Sequence, residues 1–263
     1  MEQNDNSQSN RILKDQITRL ANEAISAAQS HLGSHTSTRL TAASTWLSTY
    51  VLRSDFDKLI ALSTLTARGI TADNIVDHCI PFVACSLGED WVSDTLSFSE
   101  VTIGSVHLQL LLKHITQSRK SDPRRAEGKC LVIVVLENEQ HSLGALVLSD
   151  QLRRKGYSLR LMLNTKQADV VTHLKNNSCC ALLFSAGSEH TARQSAQCVN
   201  KIRQSLNNSP KILLGGPILT FGIPDEIKSD FNLISNDLDL IIDEIENNVI
   251  PVGSHAELGR LNL

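Results

Sequence analysis

The sequence predicts an α/β protein in which an N-terminal helical bundle precedes a doubly wound parallel sheet. Apolar residues recur with helical period from about residue 11 to residue 117. The run "CLVIVVL", residues 130–136, is continuous and rich in β-branched residues, which is typical of a strand buried on both faces. Strand-like and helix-like segments then alternate almost to the end of the chain, as they do in parallel sheets with helical crossovers.

The helical half, residues 11–117, is predicted to contain five helices. Residues 11–33 carry an apolar stripe of helical period, and Gly33 fits as its stop. Residues 34–38 are expected to supply turn and capping residues before the next helix. The other four helices are expected at residues 37–54, 56–69, 71–91 and 99–118. Gly69 is expected to end one of them, and Thr71 with Asn74 to open the next.

Residues 118–129, "SRKSDPRRAEGK", separate the two halves. This segment is polar, holds one proline and one glycine, and has five basic residues against two acidic ones. Such a composition is typical of a linker. Contact of its basic residues with nucleic acid or with an acidic partner is the alternative interpretation.

The second half, residues 130–263, is predicted to be the sheet domain. Strands are expected at residues 130–136, 158–163, 179–185 and 211–216, with helices at 142–157, 166–177 and 190–206, and a last short strand and helix after them. Repeated strand–helix units predict a parallel sheet that binds ligands at the carboxyl ends of its strands.

Composition limits the classes of partner. The chain has 263 residues, of which 41% are apolar and 20% charged, which indicates a soluble globular protein. Its net charge of -3 argues against broad electrostatic binding to DNA or to an anionic membrane. Residues 1–10 are expected to be a polar tail because they lack the apolar core of a secretory leader, and no apolar run is long enough to span a bilayer. These features predict a cytoplasmic protein.

The six cysteines show no C-x-x-C spacing, which favours reduced thiols. Cys130 and Cys180 fall in strand-like runs, where a free cysteine behaves as a small hydrophobic residue. The adjacent pair Cys179-Cys180 could be redox-active, although buried thiols are usually inert.

Polar residues and glycines follow three of the predicted strands. The first strand is followed by Glu139-Gln140-His141-Ser142-Leu143-Gly144, a later one ends in Ser185-Ala186-Gly187, and the next ends in Gly215-Gly216. Carboxyl ends of parallel strands meet at one edge, so these segments are expected to form one rim, where glycines let a ligand approach the backbone. Glu139 could orient His141 so that its free nitrogen holds a metal. An ordinary loop histidine is the alternative.

This rim resembles the cobalamin-binding Rossmann-like module, which carries D-x-H-x-x-G after its first strand, S-x-L after a later one and G-G after the next. Order and spacing match, although Glu139 replaces aspartate and Gly187 stands where leucine is expected. The resemblance implies that His141 ligates cobalt in place of the cofactor's own base and that Glu139 hydrogen-bonds the other imidazole nitrogen. The further cofactor-binding residues that it implies are Ser142, Gly144, Ser185, Gly187, Gly215 and Gly216.

Residues 75–109 resemble the helical cap that precedes this module in methionine synthases and in light-sensing cobalamin regulators. In those proteins a G-x-x-W stretch and the following helix cover the upper face of the corrin. The resemblance implies this role for Trp91, Phe98 and Val101, and the alternative is that all three are bundle core. His107 could be an upper ligand, or it could be a core or surface histidine.

The segment "WVSDTLSFSEVTIG", residues 91–104, resembles the AerR/PpaA antirepressors of photosynthesis genes in purple bacteria, which act on the repressor known as CrtJ or PpsR. The similarities together cover about residues 55–245. A related branch of this group was described as binding heme, which makes heme the alternative cofactor. Glycine-rich strand ends favour cobalamin, because heme lacks a nucleotide tail.

These resemblances imply a non-enzymatic regulator that senses light or redox state through cobalamin and associates with DNA only indirectly, through a CrtJ/PpsR-type repressor. The alternatives are a corrinoid protein that carries methyl groups for a methyltransferase, and a protein that keeps the fold without a cofactor. A free-standing repressor is disfavoured because the roughly ten polar residues before the first predicted helix leave no room for a helix-turn-helix domain. No membrane partner is expected, and the oligomeric state is left open.

Overall fold

The computed structural model of this chain describes residues 34–118 and 129–247. The predicted polar tail, the predicted helix at residues 11–33 with its stop at Gly33, and most of the predicted linker lie outside the described residues. Within the described ranges, none of the helices is long and apolar enough to cross a membrane.

The N-terminal half is a helical bundle, as the periodicity predicts. Its elements are α1 (Ser34–Tyr50), α2 (Lys58–Ala67), α3 (Ala72–Asn74), a π-helical turn (Ile75–Cys79), α4 (Ile80–Val92) and α5 (Phe98–Ser118). Leu47, Leu65, Ile80 and Leu108 are fully buried among these helices, so this half has its own apolar core.

Residues 34–38 are helical, and the prediction that they form a turn and cap was wrong. Their serine, histidine and threonine side chains are indifferent helix formers, which is why the sequence favoured a turn. The buried face of α1, which begins at Leu40 and continues through Ala43 and Leu47, packs against the bundle core. Such packing outweighs a weak local preference.

Side-chain caps fix the ends of the bundle helices. The carboxylate of Asp57 accepts hydrogen bonds from the N–H groups of Leu59 and Ile60 at the start of α2. Gly69, with a φ of 78°, follows the end of that helix, and the hydroxyl of Thr71 accepts from the N–H of Asn74, both as predicted.

The second half alternates strands and helices, as predicted. Its elements are β1 (Cys130–Leu136), α6 (Leu143–Arg154), β2 (Ser158–Thr165), α7 (Gln167–Asn176), β3 (Ala181–Ser185), α8 (Glu189–Ser205), β4 (Lys211–Gly215), α9 (Ile218–Phe221), α10 (Asp225–Lys228), β5 (Leu233–Ile234) and α11 (Leu238–Glu246).

The five strands pair in parallel in the order β2-β1-β3-β4-β5, so the predicted doubly wound parallel sheet is confirmed. Val132 and Val134 pack into the core on one face of the sheet, while Leu131, Ile133 and Val135 pack into the core on the other. This two-sided burial explains why β1 reads as an unbroken apolar run. The strand order reverses between β1 and β3, which is where ligands bind in such sheets.

Helix α6 joins the two halves. Val147 is buried in the core of the helical bundle, and Leu143 and Leu146 pack against that core. At the other end of α6, the guanidinium of Arg154 and the amide of Gln151 donate hydrogen bonds to the carboxylate of Asp77, in the π-helical turn. Helix α6 therefore begins at the rim of the sheet and contacts the bundle at both of its ends.

Cys180 does not lie within a strand. It precedes β3 and is exposed, whereas Cys130 is half-buried at the first position of β1. The interpretation of Cys180 as a small buried hydrophobic residue was therefore wrong, because the continuous core begins one residue later, at Ala181.

Candidate functional site

A short turn carries the chain from β1 to α6. Asn138 adopts a left-handed conformation with a φ of 69°, which asparagine tolerates better than most residues. The N–H of Glu139 then donates to the carbonyl of Leu136 at 3.2 Å, and α6 begins at Leu143. This turn holds Glu139 and His141 at the carboxyl end of β1, beside the strand-order reversal.

Glu139 orients His141. One carboxylate oxygen, Oε1, accepts a hydrogen bond from the backbone N–H of His141 at 2.7 Å and lies 2.7 Å from its ring nitrogen Nδ1. An ionised carboxylate can only accept, so Nδ1 carries the proton. In the neutral imidazole, Nε2 then holds the lone pair. The ring is 63% exposed, whereas the Glu139 side chain is only 2% exposed.

The second carboxylate oxygen of Glu139 is held by the loop after β3. Oε2 accepts from the N–H of Gly187 at 2.5 Å and from the hydroxyl of Thr191 at 2.7 Å. Thr191 also forms a capping box with Ser188 at the start of α8. The buried carboxylate thus bridges the β1 and β3 loops, and sequence reasoning missed Thr191 because it lies 52 residues away.

These contacts shift two pKa values. Burial opposes ionisation of Glu139, but hydrogen bonds from His141, Thr191 and Gly187 outweigh it and lower its pKa to about 2. The hydrogen bond to Glu139 raises the pKa of His141 above its ordinary value of 6.5, against the smaller effect of burial. Glu139 therefore stays ionised throughout the range in which His141 titrates.

Gly187 is required by the packing of this pair. A Cβ at Gly187 would lie 2.3 Å from Nδ1 of His141 and 2.8 Å from Oε1 of Glu139. No side chain fits without moving the imidazole or the carboxylate. The His141 ring and the Glu139 carboxylate thus occupy the space where the resemblance leads one to expect a leucine side chain.

Close backbone contacts join the loops after β3 and β4. Gly216 has a φ of 105°, and a Cβ there would lie 2.5 Å from the carbonyl oxygen of Ala186 and 3.1 Å from the hydroxyl of Ser185. The side chain of Asn236 accepts from the N–H of Gly216 at 2.7 Å and would meet a Cβ at Gly215 at 2.9 Å. Asn236, on the loop after β5, is a second residue that the sequence did not single out.

The structure brings together the predicted rim. Glu139, His141 and Gly187 touch, and Ser185 lies beside Gly216. Ser142 and Gly144 follow His141 at the start of α6, where Gly144 is exposed and a Cβ would meet no atom within 4 Å. Their contact with a cofactor stays a prediction.

The three predicted cap residues lie around the turn between α4 and α5. Trp91 is 51% exposed and Phe98 is 71% exposed, so neither is bundle core. Val101 packs against the bundle core, as the alternative interpretation expects. Trp91 and Phe98 are two of the large apolar side chains that the helical half exposes, the others being Leu59, Ile60, Ile103, Val106 and Leu110. Their role over a cofactor stays a prediction.

His107 packs within the bundle. Its Nδ1 lies 2.7 Å from the carbonyl oxygen of Val51, and its ring stacks on Phe56 with centroids 4.3 Å apart. These contacts support the core interpretation of His107 over that of an upper ligand.

In the described segments, no cluster of three or more histidine, cysteine or acidic side chains could hold a bare metal ion. His141 offers one imidazole nitrogen, oriented by a buried carboxylate. A single protein ligand suits a metal that a flat macrocycle already ligates. The tight glycine contacts let the loops of the rim pack closely on one another, because neighbouring protein atoms fill the space beside each glycine.

Comparison with known proteins agrees with this chemistry. Residues 129–231 match the model of the B12 binding domain, which supports cobalamin binding by the second half of the chain. An uncharacterised 20.5 kDa protein from the bchF-crtJ intergenic region of Rhodobacter capsulatus is 28% identical over 179 residues, which are 68% of this chain and 93% of that protein.

Among solved structures, the monomethylamine corrinoid protein of Methanosarcina barkeri superposes with a TM-score of 0.59 at 14% identity. The match covers 74% of this chain and 92% of that protein. At this identity the likeness shows the fold alone. It confirms an N-terminal helical region followed by the five-stranded parallel sheet.

Proposed function

We propose that this chain is a cobalamin-dependent, light- or redox-responsive regulator that catalyses no reaction itself and acts through a CrtJ/PpsR-type repressor of transcription. The observation that carries the proposal is the buried Glu139 carboxylate that orients His141 at the rim of a B12-binding domain. The helical half and the relative from the bchF-crtJ region support its regulatory part.

His141 would hold the cobalt through Nε2, and Glu139 would keep the proton on Nδ1. A bound corrin would supply a cobalt ion that the imidazole of His141 can ligate. Gly187, Gly215 and Gly216 would keep the loops of the rim packed closely together beside His141. Cobalamin is preferred over heme because residues 129–231 match a B12 binding domain.

The helical half would cover the upper face of the corrin. Trp91 and Phe98 are large, apolar and largely exposed. Exposing such side chains to water costs free energy, and a flat ligand that covers them would remove that cost. Helix α6 connects this cover to the His141 turn, because it begins one residue after Ser142 and packs against the bundle core.

The regulatory part of the proposal requires another protein. A net charge of -3 disfavours direct binding to DNA, so the chain would act through a DNA-binding partner. The name of the Rhodobacter capsulatus relative places its gene between bchF and crtJ, which supports a repressor of the CrtJ type as that partner. The expected compartment is the cytoplasm, where such a repressor works.

Binding to the repressor tests this function. The affinity of purified repressor would be measured for apo protein, for protein with dark cobalamin and for protein with illuminated cobalamin, at one salt concentration. We expect the dark and illuminated forms to differ by roughly 5–150-fold, the usual range of coupling between two sites. Three equal affinities would reject the regulator and favour a corrinoid methyl carrier.

Two histidine variants serve as controls in the same experiment. His141→Ala should abolish tight cobalamin binding and with it the difference between dark and illuminated protein. His173→Ala is the matched control, because His173 lies in the last turn of α7, away from the rim. A difference that survives His141→Ala would show that the response does not pass through this site.

A further inference from the structure

The outer face of α5 carries a row of exposed apolar side chains. Ile103, Val106 and Leu110 are each 42–48% exposed, and their spacing of three and four residues places them on one side of the helix. Leu108 and Leu111, which face the bundle, are fully buried. Helix α5 is therefore apolar on two sides, and a helix of this kind is usually covered on both.

The start of α2 adds apolar surface nearby. Leu59 and Ile60 are each 54% exposed. Phe56, just before this helix, stacks on His107 with ring centroids 4.3 Å apart, so the start of α2 lies beside the middle of α5. Exposed apolar side chains that gather in this way are typical of sites of protein interaction.

The row on α5 is separate from the predicted cover of the cofactor. At about 100° per residue along a helix, Val101 points about 160° away from Ile103, and Phe98 points about 140° away from it. Val101 accordingly packs against the bundle core, whereas Ile103 is exposed. A partner bound to the row would thus leave the predicted cofactor cover free.

Opposite charges lie at the two ends of the row. Glu100 and Lys113 are both exposed, and they stand six residues before and seven residues after Val106. Ile103 and Leu110 stand three residues before and four residues after it. The row is therefore nearly symmetric about Val106 in its apolar residues, with an acid at one end and a base at the other.

We propose that α5 packs antiparallel against α5 of a second copy of this chain, around a two-fold axis beside Val106. An antiparallel pair reverses the order of residues, so Ile103 lies level with Leu110 of the second copy. Glu100 then lies level with Lys113 of the second copy, and the two-fold axis repeats both pairings.

The charges favour this arrangement over the alternative direction of packing. In a parallel pair, Glu100 would lie beside Glu100 of the second copy and Lys113 beside Lys113, and like charges across an interface are costly. In the antiparallel pair each charge faces an opposite one, and the apolar row meets itself. A surface that complements itself in this way is what a two-fold dimer requires.

Sedimentation velocity of the full-length, cofactor-free protein over a range of concentrations tests the proposal. We expect a reversible dimer of the wild-type protein. Val106→Glu should raise the dissociation constant of the dimer by roughly tenfold or more, because it places two like charges beside the two-fold axis. Leu240→Glu, at a similarly exposed residue on α11, is the matched control and should leave the dissociation constant unchanged.

An exchange of charges tests the antiparallel register. Glu100→Lys and Lys113→Glu each place like charges opposite one another and should weaken the dimer. The double variant restores opposite charges and should recover most of the wild-type affinity. Circular dichroism of each variant monitors the fold, because Glu100 also accepts hydrogen bonds from Ser97 at the start of α5.

Three outcomes would overturn the proposal. A wild-type protein that stays monomeric would show that another protein or another segment of this chain covers the row. A dimer that Val106→Glu leaves intact would lie on a different surface. A double variant that keeps its helical content and does not recover the affinity would rule out the antiparallel register.

Discussion

At the scale of single residues, the site depends on the carboxylate of Glu139. Its two oxygens serve four donors, which belong to His141, Gly187 and Thr191. Replacement by the neutral isostere in Glu139→Gln should weaken cobalamin binding by about 10–100-fold, the usual effect of losing the partner of a metal-bound histidine. The matched control is Glu137→Gln, in the same turn, for which the affinity should be unchanged.

Glu139→Gln should also change the pKa of His141 in the protein without cofactor. His141 should titrate above 6.5 in the wild-type protein, and its pKa should fall in Glu139→Gln, as followed by NMR of the imidazole protons. Because the folded pKa is raised, the stabilisation from this pair is complete below the unfolded pKa and is lost as the pH rises through the folded value. Cobalamin binding through Nε2 has the opposite dependence and weakens as the pH falls through that pKa. Equal pKa values in the two proteins would contradict the contact.

Gly187 is the second residue on which the site depends. Gly187→Ala places a methyl group 2.3 Å from the His141 ring nitrogen, so the ring must move and cobalamin binding should weaken by tenfold or more. Gly88→Ala, in α4, is the matched control because a Cβ there meets no atom within 4 Å. Cobalamin affinity would be measured by absorption titration. An unchanged affinity in Gly187→Ala would show that the His141 ring accommodates the methyl group without leaving its binding position.

The sequence predicted the contact between Glu139 and His141 because the two residues are adjacent in one turn. It did not predict Thr191 or Asn236, since each reaches the rim from a distant loop and only the folded sheet brings them there. The departure at Gly187 counted against the resemblance in the sequence. In three dimensions, glycine at this position leaves room for the His141 ring and the Glu139 carboxylate.

At the scale of elements, the strands and most helices follow directly from the apolar pattern. The π-helical turn at Ile75–Cys79 was not predicted, because its wider hydrogen bonding has no separate periodicity. Pro81 accounts for it. Proline lacks the N–H that would bond to the carbonyl of Asp77, and the N–H of Ile80 donates instead to Ile75, five residues back.

This turn places Asp77 against the end of α6, and Arg154 should hold the two halves together there. Its guanidinium is 19% exposed and pairs with Asp77, in the bundle, and with Asp150, one turn earlier in α6. Arg154→Ala leaves both carboxylates without this partner and should lower the free energy of unfolding by roughly 1–3 kcal/mol in a urea titration. Arg193→Ala removes exposed ion pairs with Glu189 and Glu226 and should change the free energy of unfolding much less. If the two variants lower the free energy of unfolding equally, Arg154 stabilises the contact between the halves no more than an exposed ion pair does.

At the scale of the whole molecule, the helical half leaves Trp91 and Phe98 exposed, although most of its apolar residues are buried. Trp91→Ala should therefore leave the stability of the cofactor-free protein unchanged while it weakens cobalamin binding or alters the absorption spectrum of the complex. Leu240→Ala, an equally exposed residue on α11, should change neither property. Destabilisation of the cofactor-free protein by Trp91→Ala would instead assign Trp91 to the bundle.

The central claim is that His141 binds the cobalt in place of the cofactor's own base. Electron paramagnetic resonance of the complex in its Co(II) form measures this directly, because the axial nitrogen splits the cobalt lines. The protein would be prepared with ¹⁵N-labelled histidine and with unlabelled cobalamin. We expect the triplet splitting from ¹⁴N to become a doublet in the labelled protein and to stay a triplet in labelled His141→Ala that still retains cofactor. A triplet in the labelled wild-type protein would show that the cofactor's own base remains bound, and would contradict the account.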